Sequence, residues 1–140
     1  MYIKLLTAAA MLVASTSVLA ITEKPDHCPS IGTLLAAGLP KDNVINQQNG
    51  NWSVFTGLRD GDASWIFAIM NISAMDDNDA HQKAVLSLNS LTYLQGPFSL
   101  QIATEWACLY STAEGYEAVT VTGEHNLQNQ DRLLTTLRRN

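Results

Sequence analysis

The 140-residue chain is too short for two ordinary domains. Its formal net charge of −5 counts against a general nucleic-acid binder, which needs a basic stripe to displace counterions. It also counts against a protein that lays its whole face on an anionic membrane.

Residues 1–20 read as a secretory signal peptide. Lys4 precedes an apolar run from Leu5 to Ala14, and Val18-Leu19-Ala20 sets up a cut at Ala20/Ile21. Ser15, Thr16 and Ser17 close the run well short of the roughly 20 apolar residues that a membrane span needs. The expected product is therefore secreted or periplasmic, with no transmembrane segment in the mature chain. No cysteine follows the cut, so a lipoprotein anchor is not expected. The mature chain, 21–140, is one globular domain. Losing Lys4 takes its formal charge from −5 to −6.

Pro29, Ile31, Leu34, Leu35 and Leu39 predict a short helix ended by Gly38 and Pro40. Such a helix does not persist alone in water and needs a surface to pack on. The amide-rich stretch 41–51 predicts a loop with Val44 and Ile45 as a short edge strand. The stretch 51–58 alternates, Asp60-Gly61 signals a hairpin, and a nearly continuous apolar run from Trp65 to Ile72 predicts its return strand. A buried helix segment shares that last signature.

Asp76, Asp77 and Asp79 crowd a helix start. Ala80, Ala84, Leu88 and Leu91 then make one apolar stripe, with Val85 beside it. Gly96-Pro97 predicts a break. From Leu100 to Ser111 the chain alternates as a strand, with Ile102, Thr104, Trp106, Cys108 and Tyr110 on its inner face. Gln101, Ala103, Glu105, Ala107, Leu109 and Ser111 take the other, and Glu105 reads as solvated. Ala113-Glu114-Gly115 turns into a last strand over 117–122. Leu127, Leu133, Leu134 and Leu137 suit a C-terminal helix over 127–139. The predicted class is α+β: an antiparallel sheet of about four strands in two hairpins, two or three helices packed on one side, and one disulfide.

Cys28 and Cys108, in an exported protein, read as that disulfide. The competing reading is a thiol nucleophile beside His27. It places adjacent side chains on an irregular segment and leaves a thiol exposed to oxidation.

Other chemistry is sparse. Asp76, Asp77, Asp79 and His81 suggest a metal site, but the calcium-loop glycine and glutamate are missing and helix capping accounts for the same carboxylates. His27, His81 and His125 lack zinc-ligand spacing. There is no G-x-S-x-G elbow and no phosphate-cradling glycine loop. No cofactor is implied. Trp52, Arg59 and Trp65 flank the first hairpin as a candidate partner-binding patch, set against the reading that both tryptophans are core. Arg132, Arg138 and Arg139 are candidate membrane or partner contacts, set against a tail helix docked on the domain.

The stretch His27–Leu39, HCPSIGTLLAAGL, together with a single later cysteine, resembles small exported proteins of unknown function from Legionella and related bacteria. The resemblance implies a secreted, virulence-associated product of the type II route and no defined reaction. Taken together, these readings give a secreted bacterial binding or effector protein without an evident catalytic site, acting on a host protein or lipid. Two alternatives stay open: a small secreted hydrolase with an Asp/Glu/His site, and a periplasmic ligand-binding accessory protein. Oligomeric state is not readable from the sequence.

Overall fold

Stretches of alternating and apolar character on either side of Asp60-Gly61 dictate the longest hairpin among the described residues, and the rest of the sheet grows from it. A computed structural model describes residues 24–100 and 105–123. The leader 1–20 with its cut at Ala20/Ile21, His125, and the helix expected over 127–139 with Arg132, Arg138 and Arg139 lie outside the described residues.

Strands β1 (Val44–Asn46), β2 (Asn51–Asp60), β3 (Ala63–Ser73), β4 (Thr92–Ser99), β5 (Trp106–Ser111) and β6 (Glu117–Thr122) form one antiparallel sheet. Their order is β1-β2-β3-β6-β5-β4. It consists of two three-stranded meanders joined where β3 pairs with β6. The helices are α1 (Ile31–Ala37) and α2 (Asp77–Ser87), the latter continued by a 3-10 turn over Leu88–Ser90. No helix among the described residues is long and apolar enough to cross a membrane.

The class is α+β, but the expected four-stranded sheet is wrong. The structure has six strands, because two lie at edges where sequence signals are faint. β1 is the short strand expected at Val44-Ile45. β4 falls where only a break at Gly96-Pro97 was expected. Most of its residues are exposed, so it carries little apolar alternation, and proline is tolerated in an edge strand. Of the strand expected from Leu100 to Ser111, residues 101–104, with Ile102 and Thr104, lie outside the described residues. Ser99 pairs with Trp106, and the Leu100 amide donates to the Glu105 carbonyl at 3.0 Å, so Leu100 and Glu105 face each other across two paired strands, and β5 begins at Trp106.

The first face of the sheet carries both helices. Leu34 of α1 and Ala80 and Ala84 of α2 pack with Val54, Trp65, Phe67, Ile69, Cys108 and Tyr110. Local chemistry fixes each helix start. The Ser30 hydroxyl accepts from the Thr33 amide at 3.1 Å, and Gly38, at φ 67°, ends α1 in the left-handed region that glycine favours. Asp76 accepts from the Asp79 amide at 2.8 Å, while Asp79 reaches back to the Met75 amide at 3.1 Å. These reciprocal bonds satisfy free N–H groups at the helix start. The Met75 amide, and then the Lys83 ammonium 3.2 Å away, hold the Asp79 carboxyl below its usual range. Val85, expected beside the buried stripe, is 39% exposed.

The second face is buried as well. Phe55, Ile66, Ala68, Met70, Leu100, Ala107, Val119 and Val121 form a separate buried cluster there. On the side of β5 that holds Ala107, that residue is fully buried and Leu109 and Ser111 are half-buried.

The Cys28–Cys108 disulfide is formed, with a Cα–Cα separation of 5.9 Å. Such a bond fits an oxidising compartment. Beside it the Tyr110 hydroxyl donates to the Pro29 carbonyl at 2.5 Å. Burial pushes this hydroxyl up from its ordinary value of 10.0 to about 12. A raised folded-state value means that its contribution is complete below pH 10 and is lost as pH climbs through 12. Urea unfolding of Tyr110→Phe will show a smaller loss of stability between pH 10 and 12 than the parent. At neutral pH the variant will be weaker by about 1 kcal/mol for the lost hydrogen bond.

Candidate functional site

The disulfide sets the position of the residues just before it. Cys28 lies against β5, so the segment 24–27 is carried to the start of that strand. There the Lys24 ammonium sits 5.6 Å from the centre of the Trp106 ring, a cation–π arrangement. The β2–β3 turn and the end of β6 reach the same end of the sheet, because Asp60 pairs with Ala63 and Trp65 with Thr122.

These three pieces enclose an open cleft of about 790 Å³. Four carboxylates line it: Asp26, Asp60, Asp62 and Glu105. Lys24 and His27 stand among them, and Pro25, Ala63 and Trp65 supply apolar wall. His27 Nε2 lies 3.5 Å from Asp60 Oδ2, beyond ordinary hydrogen-bond range, and His27 is 74% exposed. Glu105, expected to be solvated, is half-buried and accepts from the Thr122 hydroxyl at 2.8 Å. The Trp106 amide donates to that same hydroxyl at 2.9 Å. These bonds tie the start of β5 to the end of β6 and hold the Glu105 carboxylate at the cleft. A smaller hollow of about 400 Å³ adjoins it and shares Asp26 and His27. Its far wall includes Tyr93 and Pro97.

The residues singled out from sequence are mostly elsewhere. Trp65 is 1% exposed and belongs to the core. Trp52 is half-buried and donates its ring N–H to the Ala74 carbonyl at 3.1 Å. It pairs with Ile72, whereas Trp65 pairs with Leu58, six residues further along β2 and roughly 20 Å away at the usual strand rise. Arg59 is exposed, one position from Leu58, and so points to the face opposite Trp65. Trp52, Arg59 and Trp65 therefore do not form one patch.

Asp76 and Asp79 are spent on the α2 cap. Asp77 accepts from the adjacent Asn78 amide at 2.8 Å, and His81 Nε2 lies 2.7 Å from the Leu39 carbonyl. His81 thus fastens α2 to the chain after α1 and does not join the aspartates. Among the described residues no group of three or more His, Cys, Asp or Glu side chains is placed to hold a metal ion.

The sequence hinted at the cleft in two places, KPDH ahead of Cys28 and DGD at the hairpin tip. What joins them is the disulfide together with the β3–β6 register. Comparison of the chain with known family models, curated proteins and solved structures finds no match.

Proposed function

We propose that this protein is an exported binding domain without catalytic activity. Its ligand is a basic, extended peptide segment of a partner protein, received in the cleft at the tip of β2–β3. One observation carries this reading: four carboxylates face one ammonium around a single open cleft. That imbalance favours a cationic ligand and speeds its encounter. The adjoining hollow gives the next residue of such a segment an aromatic and proline wall at Tyr93 and Pro97. Lys24, held over Trp106, shows that the rim already accepts a long cationic side chain. Export and action outside the cell rest on the leader-like sequence, on the disulfide and on the resemblance given above.

The test is calorimetric titration with a tetralysine peptide. Asp60→Asn with Asp62→Asn will weaken binding at least tenfold. Asp42→Asn with Asp77→Asn, which removes the same charge from residues that do not line the cleft, will change it by less than threefold. Equal losses in both double variants, or no binding by the parent, overturn the reading.

The approach of His27 to Asp60 favours a second reading, a small hydrolase with His27 as general base. Turnover of peptide or ester substrates that disappears in His27→Ala would select it.

A further inference from the structure

We infer, resting on the reading of the cleft as a site for a basic peptide, that the Trp106 ring is the subsite for one cationic side chain of that peptide. Lys24 is then a tethered occupant of the same ring, which the ligand displaces. The Lys24 ammonium lies 5.6 Å from the ring centre, within the range at which an aromatic face attracts a cation. Lys24 also lines the cleft together with Glu105, the residue just before Trp106. The ring is fixed in place. Its backbone amide donates to the Thr122 hydroxyl, and that hydroxyl donates to the Glu105 carboxylate, so ring and carboxylate are positioned from one atom of β6.

The occupant is held far more loosely. Lys24 is exposed, and the two ion pairs among the described residues, His27–Asp60 and Lys83–Asp79, leave it out. Yet it cannot go far, because Cys28, four residues on, is bonded to Cys108 of β5. So short a tether holds the ammonium at an effective concentration on the order of millimolar. A cation–π contact at an exposed site corresponds to an equilibrium constant of about 2–5 between covered and open ring. The ring is then open for about one-sixth to one-third of the time, and the apparent affinity for a competing cation falls about three- to sixfold.

The test is a calorimetric cycle with tetralysine on the parent, Lys24→Ala, Trp106→Leu and the double variant. Lys24→Ala will bind about three- to sixfold more tightly than the parent. Removing a positive charge would favour a cationic ligand by itself, so the decisive reading is the same substitution in the Trp106→Leu background, where the gain will shrink to twofold or less. An equal gain in both backgrounds overturns the inference, since Lys24 then acts through its charge alone. Binding by the parent with no gain in Lys24→Ala overturns it and leaves the cleft reading standing; binding by neither overturns both. A second readout does not need Trp106→Leu to fold. Saturating tetralysine will shift the Trp106 indole N–H resonance of Lys24→Ala, and an unmoved resonance also overturns the inference.

Discussion

Replacing Cys28 and Cys108 together by alanine lowers the unfolding free energy by about 2–5 kcal/mol, the usual range for a native disulfide in a small domain. The bond closes a loop with a sequence separation of 80. In the chain-entropy treatment a loop of that size is worth about 4.5 kcal/mol, since the reduced chain regains freedom that the bond denies it. That is comparable with the whole net stability of many small domains. Cys108 is 0% exposed, so its truncation also leaves a small packing defect. With a urea slope of about 1–3 kcal/mol/M, the midpoint falls by about 0.7 M or more. The damage has a location. α1 has seven residues, too few to stand alone, and amide exchange will accelerate first between Cys28 and Leu39. An unchanged urea midpoint in the double variant contradicts the expected dependence.

Gly96→Ala is the second large effect. Gly96 sits at φ 129°, which side-chain-bearing residues rarely adopt. A Cβ there would lie 2.8 Å from the Ala107 carbonyl oxygen, 2.8 Å from the Cys108 Cα and 3.0 Å from the Cys28 sulfur. Two of those neighbours are backbone of a paired strand and the third is locked in the disulfide, so none yields easily. Backbone strain and overpacking together predict a loss of about 2–4 kcal/mol by urea denaturation. Gly115→Ala is the control. It shares a positive φ of 82° but has nothing within 4 Å of the added carbon, and it will cost only about 1–2 kcal/mol. Equal costs at the two positions would mean that the contact with β5 is unimportant.

The same neighbourhood shows why some features can be read from residues and others cannot. The Cys28–Cys108 pair followed from two cysteines behind a leader-like sequence. The α2 cap followed from Asp76 and Asp79 ahead of an apolar stripe, and the β2–β3 hairpin from Asp60-Gly61. Each is a local chemical rule that the fold obeys. β4 escaped because an exposed edge strand needs no apolar alternation, and Gly96-Pro97 looks like a terminator. The half-burial of Glu105 escaped because a glutamate alternating with Trp106 and Cys108 reads as a residue that meets water. Trp52 and Trp65 favour the core reading over the patch, and the register separates them along the hairpin. The cleft is the least legible feature. His27 and Asp60 are far apart in sequence, and no spacing rule joins them before the disulfide and the strand order are known.

The meeting of the two meanders has a consequence for how the molecule assembles and comes apart. Pairing within each half is local, while β3 and β6 join residues 47 to 57 positions apart, from Met70–Glu117 to Trp65–Thr122. Closing that distance costs chain entropy before it is repaid, so each half organises early and the central ladder zips late. The same ladder is the natural line of subglobal opening in the finished protein. α1 packs against β2 in one half, yet its leading cysteine is bonded to β5 in the other. The sulfur bridge therefore crosses the seam, and halves that part along it stay tethered and rejoin as neighbours.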